Sequence, residues 1–268
     1  MSSAHAALAG RRILVAEDDP LMQFMLGDVL EEAGIVVTLA GDGAAAVTQA
    51  QEAAPAYDWV LMDAVMPRMD GLEATRQLRA DARTAGLCII GLSGNDDAAS
   101  RAASRAAGMN DFLAKPVDPA QLLDCLREWL GRPATPSMAT AETAAAAAAT
   151  PAFDLTRLDE LGNGDSVRIK KYADHFLTAL HASAGELAQA LADNRLDTLA
   201  GLAHRMKSTA RWVGAVQLGD IFAAVEQAAK AGRAENLPAL LDACRTAGAD
   251  FSLHLQDHLE RLNTGAPR

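Results

Sequence analysis

Between residues 11 and 131, short apolar runs rich in β-branched residues alternate five times with stretches of helical periodicity. Few folds accommodate that rhythm: it implies a parallel sheet with helices on both faces, an α/β doubly wound five-stranded architecture. The strands are expected at Ile13-Ala16, Val36-Ala40, Trp59-Met62, Cys88-Leu92 and Phe112-Ala114, and the helices to begin near Pro20, Gly43, Gly71, Asp97 and Asp118. Consecutive apolar residues suit central strands buried on both faces. In such sheets ligands bind beyond the carboxyl ends of the strands, so the residues there carry the functional argument.

The alternation stops at a segment, residues 132–151, that reads RPATPSMATAETAAAAAATP and has almost nothing large and apolar to anchor it. It reads as a linker. Residues 152–268 show no strand signal. Ala- and Leu-rich helical patterns there are broken at Gly162-Asn163-Gly164, Asp193-Asn194, Gly214 and Gly232, which predicts an all-α four-helix bundle with a short leading helix at Phe153-Leu161. The expected domains are therefore 1–131 and 152–268, joined by 132–151.

Charge separates the two halves. The whole chain of 268 residues carries −11, of which residues 1–131 hold −9 and residues 152–268 hold −2. An acidic chain with 4% aromatics is poorly suited to phosphate backbones, so direct nucleic-acid binding is not expected. Half the residues are hydrophobic, but about a fifth are alanine, and no window approaches a membrane span. The N-terminus has no apolar signal segment. Cys88, Cys125 and Cys244 are odd in number and far apart, as expected of reduced core residues in a cytoplasmic protein.

Glu17-Asp18-Asp19 follows the first strand, Asp63 ends the third, Ser93 the fourth, and Lys115-Pro116 follows the fifth. Carboxylates converging at one sheet edge repel unless a cation joins them, and a hard divalent ion with oxygen ligands, Mg²⁺, suits them. A carboxylate there, with a hydroxyl and an ammonium to hold phosphoryl oxygens, is equipped to attack a phosphoryl group. The motifs ILVAEDD, VLMDAVMPRMDG, GLSGN and FLAKP are similar to those of the receiver domain of two-component response regulators, a flavodoxin-like fold. The resemblance implies that Asp63 is the phosphoacceptor. It further implies that Asp18 binds Mg²⁺ directly and Glu17 through water, with the backbone carbonyl of Val65 as another ligand. Lys115 would pair with the phosphoryl group, Ser93 would move to contact it, Phe112 would change rotamer, and the Lys115-Pro116 peptide would be cis. Val65 and Asn95 occupy the positions that face attacking water in that family, and an apolar Val65 predicts slow hydrolysis of the aspartyl phosphate.

In the second half, His204 lies in AHRMKSTARWVGA. At about 100° per residue, Lys207, Ser208 and Arg211 fall on the same side of the helix as His204, while Leu199, Leu202, Met206 and Val213 gather at the opposite pole. His204 is therefore expected to face solvent, where a neutral imidazole attacks phosphoryl groups and Lys207 stabilises the oxygens. His5, His175, His181, His254 and His258 lack such surroundings; the His254/His258 pair reads as solvated surface. The His204 segment in its four-helix context resembles the histidine phosphotransfer (HPt) domain. That resemblance makes His204 a second phosphoacceptor and Lys207 its neutralising partner, and has Gly214 end the helix. Ser208, where many relatives have glycine, would crowd the phosphohistidine or hydrogen-bond to it.

A receiver followed by a phosphotransfer domain implies the middle steps of a His-Asp-His-Asp relay, from an upstream sensor histidine kinase to Asp63, then His204, then a downstream response regulator receiver domain. Nothing resembles the ATP-binding glycine boxes or dimerising helices of a kinase. A flexible linker of about 20 residues spans roughly 25 Å and permits transfer within one molecule. Arg205, Lys207 and Arg211 would offer a basic patch to the receiver's acidic edge. Three alternatives are the C-terminal part of a hybrid sensor kinase, a binding module or phosphate sink without onward transfer, and an aspartate-nucleophile phosphatase. The start at Met1 weighs against the first, the paired acceptors with their lysines against the second, and Val65, where such phosphatases need Asp, against the third.

Overall fold

The computed structural model describes residues 7–94, 98–132 and 152–264. His5, Asn95, the helix start near Asp97, and the linker beyond Arg132 lie outside the described residues. The chain divides into two compact units, 1–143 and 144–268.

In the first unit, β1 (Arg12–Ala16), β2 (Val36–Ala40), β3 (Trp59–Asp63), β4 (Cys88–Ser93) and β5 (Asp111–Ala114) form one parallel sheet in the order β2-β1-β3-β4-β5. Helices α1 (Pro20–Glu32), α2 (Gly43–Glu52), α3 (Gly71–Ala80), α4 (Ala98–Ala107) and α5 (Pro119–Glu128) follow the strands in turn. The helix starts are written in aspartates. Asp19, Asp42, Asp70 and Asp118 cap α1, α2, α3 and α5, accepting from the amides of Leu21, Ala45, Glu73 and Gln121, while Pro20 and Pro119 occupy first turns where no amide donor is needed. β3 and β4 are buried throughout and β1 nearly so; β2 and β5 are the edges, and the β2 side chains Val36 and Leu39 are exposed. One face of the core joins Leu14, Val60, Met62 and Ile89 to Ala46, Val47, Ala74 and Leu78 of α2 and α3.

Strand register decides where the site forms. Ala16 pairs with Met62, Asp63 with Leu92 and Ser93 with Ala114, so the carboxyl ends of β1, β3, β4 and β5 finish at one edge. Gly71 completes this edge: a Cβ there would fall 1.9 Å from the Asp63 carbonyl oxygen, so only glycine lets α3 begin against β3.

The second unit is helical. A short α6 (Thr156–Leu161) leads α7 (Ser166–Ala192), α8 (Leu196–Trp212), α9 (Val216–Lys230) and, after a 3₁₀ turn at Ala234–Asn236, α10 (Leu237–Thr264). Left-handed residues fall at the four sequence breaks: Asn163 and Gly164, Asn194, Gly214 and Gly232. The interior is built from Tyr172, Phe176, Leu199, Phe222, Phe251 and Leu255, with Phe176 meeting Phe251 edge-on at 5.5 Å. The entry of the chain is stitched to the turn that ends α8. The Asp154 amide donates to the Gly214 carbonyl at 2.8 Å, the Gln217 amide donates to the Ala152 carbonyl at 3.1 Å, and a Cβ on Gly214 would lie 2.0 Å from the Asp154 carbonyl oxygen.

The expectation of solvated surface holds for His254, which is exposed, and is corrected for His258. His258 Nε2 lies 2.8 Å from Asp159 Oδ1 with both side chains largely buried, and His254 stacks on Phe153 at 4.6 Å. Both histidines face the leading segment, which a view of α10 alone does not include. Among the described residues no helix is long and apolar enough to cross a membrane. The three cysteines are free, and burial pushes the thiols of Cys88 and Cys244 up to about 12.

Candidate functional site

The first cluster stands on the sheet edge. β1 delivers Glu17 and Asp18, with the Glu17 backbone held by the Gln23 amide, which donates to its carbonyl at 2.5 Å. β3 ends in Asp63, whose Oδ1 accepts the Val65 amide at 3.1 Å. Lys115 Nζ donates to Asp63 Oδ2 at 2.7 Å and to Glu17 Oε2 at 2.6 Å, with all three side chains at most 3% exposed. The Lys115-Pro116 peptide is cis, as expected, and the Lys115 amide donates to the Ser93 carbonyl at 2.7 Å. Ser93 is buried, Phe112 half-buried beneath the Arg101 guanidinium, and the Val65 side chain 48% exposed.

Carboxylate oxygens of Glu17, Asp18 and Asp63 lie within 4.8 Å of one another. Burial raises the Glu17 carboxyl well above its ordinary range, the Asp63 charge adding to the effect and Lys115 opposing it. Burial alone would lower the Lys115 ammonium, but Asp63 and Glu17 outweigh it and hold Lys115 charged. One ammonium thus serves several acidic groups, and a hard dication fits the oxygen donors that remain.

The second cluster corrects the expectation of a solvent-facing histidine. The apolar pole of α8 is as read, with Leu199, Leu202, Met206 and Val213 buried. The polar arc is also covered, by α9. His204 is 14% exposed and Lys207 7%, and Glu226 of α9 lies between them. Glu226 Oε1 is 2.9 Å from His204 Nδ1 and accepts from Lys230 Nζ at 2.6 Å, while Oε2 accepts from Lys207 Nζ at 2.8 Å. Burial would raise the Glu226 carboxyl, but hydrogen bonds from His204, Lys207 and Lys230 hold it well below the glutamate range. An ionised Glu226 accepts only, so the Nδ1 contact assigns the proton to Nδ1 and the lone pair to Nε2. Lys207 is spent on Glu226 and Arg211 donates to Asp220 at 2.7 Å, so the expected basic patch is largely internally paired.

Glu226 is the functional residue that reading the sequence missed. A signal existed: it occupies the same stripe of α9 as buried Leu218, Phe222, Val225 and Ala229, where an acid has no place without partners.

The molecule therefore pairs a doubly wound domain with a carboxylate–lysine cluster and a helical bundle with a histidine–glutamate–lysine cluster. Residues 13–127 match the response regulator receiver domain and residues 171–265 the Hpt domain. Over 112 residues the chain is 38% identical to protein PilH of Pseudomonas aeruginosa, an alignment covering 42% of this chain and 91% of PilH. It is 34% identical over 123 residues to the sensor protein GacS of Pseudomonas syringae, covering 45% of this chain but only 13% of GacS. A solved receiver domain from a sensor histidine kinase of P. aeruginosa, described with a magnesium ion in its active site cleft, aligns over 46% of this chain and all of its own length at 40% identity and a TM-score of 0.44. The chain belongs to the response regulator receiver family and carries an Hpt domain after the receiver. Together these domains make it a phosphorelay protein of two-component signal transduction.

Proposed function

We propose that this protein is a relay intermediary that accepts a phosphoryl group on Asp63 from an upstream sensor histidine kinase and passes it through His204 to the receiver of a downstream response regulator. The observation that supports the reading is that each unit holds a nucleophilic side chain beside a buried lysine: Asp63 with Lys115 at 2.7 Å, and His204, at its Nδ1, with Lys207 at 3.5 Å. Domain limits of 1–131 and 152–268 go with this reading.

In the receiver, Asp18, Asp63, the Val65 carbonyl and, through water, Glu17 would hold Mg²⁺, which when bound neutralises charge on the phosphoryl oxygens. Asp63 attacks phosphorus, forming an O–P bond as the kinase N–P bond breaks. Lys115 moves from carboxylate to phosphoryl oxygen, and Ser93 and Phe112 adjust around the new group. In the next step the Nε2 lone pair of His204 attacks, the acyl phosphate O–P bond breaks, and Asp63 leaves as carboxylate. The Nδ1 proton stays shared with Glu226, which offsets the charge developing on the ring.

A second reading, the end of a hybrid sensor kinase, draws support from the match to GacS. In either setting the test is the same. With Mg²⁺ and a labelled histidine kinase, wild type is expected to carry acid-labile, base-stable label on His204. Asp63→Asn should lose all label and His204→Gln keep it only on Asp63. Label that stays on Asp63 and never reaches His204 overturns onward transfer.

A further inference from the structure

Ser208 sits one turn beyond His204 on α8 and about 40° around it, with Lys207 about 60° to the other side, so the two straddle the imidazole's face of the helix. Helical side chains lean toward the N-terminus, which tips Ser208 onto the turn that carries His204. Ser208 is 5% exposed, and its Oγ has no hydrogen-bond partner among the described residues. Other hydroxyls in this bundle return to their own helix: Thr209 to the Arg205 carbonyl at 3.3 Å, Thr178 to Asp174 at 2.8 Å, Ser252 to Gly248 at 2.7 Å. A buried hydroxyl without a partner is costly, and its position beside a nucleophile assigns it a use.

We infer that the Ser208 hydroxyl donates a hydrogen bond to the phosphoryl group carried on His204 Nε2, opposite Lys207, and thereby favours the phosphorylated histidine. The inference rests on His204 being the phosphoacceptor. The hydroxyl forms and breaks no covalent bond; it supplies an acceptor-directed proton that finds its partner only when the N–P bond exists. Hydrogen bonds to charged oxygens are the stronger kind, so the bound state gains where the free state has an unsatisfied group.

The full chain with Asp63→Asn isolates the effect. Potassium phosphoramidate donates its phosphoryl group to Nε2 as its own N–P bond breaks and ammonia leaves. At pH 8 and fixed ammonium, the extent of acid-labile label against donor concentration yields an equilibrium constant, and ³¹P NMR reports the phosphohistidine environment. Ser208→Ala and Ser208→Gly are each expected to lower that constant about tenfold and to move the ³¹P resonance. Circular-dichroism melts should place Ser208→Ala at or above the parent, since it removes an unpartnered buried hydroxyl, and Ser208→Gly slightly below it, since glycine weakens a helix interior, so a constant lowered in both variants does not follow stability. An unchanged or larger constant in both variants overturns the inference, a larger one meaning that the hydroxyl crowds the phosphoryl group. Label that survives His204→Gln overturns the phosphoacceptor reading itself, whereas label lost in His204→Gln but unchanged in the Ser208 variants overturns only the role of Ser208.

Discussion

The two clusters are electrostatic inversions of one another. In the receiver one buried ammonium, Lys115, is shared by Asp63 and Glu17; in the bundle one carboxylate, Glu226, is shared by His204, Lys207 and Lys230. The first is short of positive charge and the second of negative charge. Under the proposed relay, the receiver site would need a cation before it took a phosphoryl group, while the bundle's excess of cations would already suit phosphoryl oxygens. On that reading the same group would be held by an added ion in one place and by side chains alone in the other.

Removing the central charge of each cluster tests this symmetry. Lys115→Ala leaves two buried carboxylates facing each other, and a loss of about 3 kcal/mol is expected in urea denaturation of the receiver, partly restored by millimolar Mg²⁺. Equal stability with and without Lys115 would end the comparison. Glu226→Gln strands Lys207 and is expected to cost the bundle about 2 kcal/mol, with no recovery on adding Mg²⁺.

The pH dependence should run in opposite directions. Glu226 titrates below its ordinary value near 4.5 in the folded bundle. Its stabilisation is therefore full above that value and lost as pH falls through the depressed one, and Glu226→Gln should flatten this acid limb. Glu17 is raised from the same reference, so its contribution is most favourable in acid and declines as pH climbs through the raised value. Thermal melts of the full chain between pH 3 and 8, with and without each substitution, measure both slopes. The smallest effect concerns Val65, whose apolar side chain is 48% exposed: if it keeps water away from the acyl phosphate, Val65→Asn is expected to shorten the aspartyl-phosphate lifetime roughly threefold, read by loss of label.

Much of this was legible in the sequence because the relevant information is local. Aspartates just before apolar periodicity mark the starts of α1, α2, α3 and α5, and the glycines and asparagines at 163–164, 194, 214 and 232 mark the bundle's breaks. The convergence of Glu17, Asp63, Ser93 and Lys115 follows from strand ends in a parallel sheet, a rule that needs no knowledge of side-chain packing. The second cluster resisted because a helical wheel describes one helix. It separates the two faces of α8 correctly but cannot tell which partner covers each, and Glu226 lies 22 residues from His204 on that partner. The paired state of Lys207 and Arg211 was hidden for the same reason, as was the packing of His254 and His258 against residues that precede α7.

The stitching of residues 152–154 to the turn after α8 has a mechanical consequence. A tension carried along the chain into the bundle arrives first at the Ala152–Gln217 bond and then at Asp154 and Gly214, and so at the junction between α9 and the end of the helix that holds His204 and Ser208. The incoming chain and the His204 helix share an anchorage, which makes that turn the fulcrum on which any pull from upstream would act.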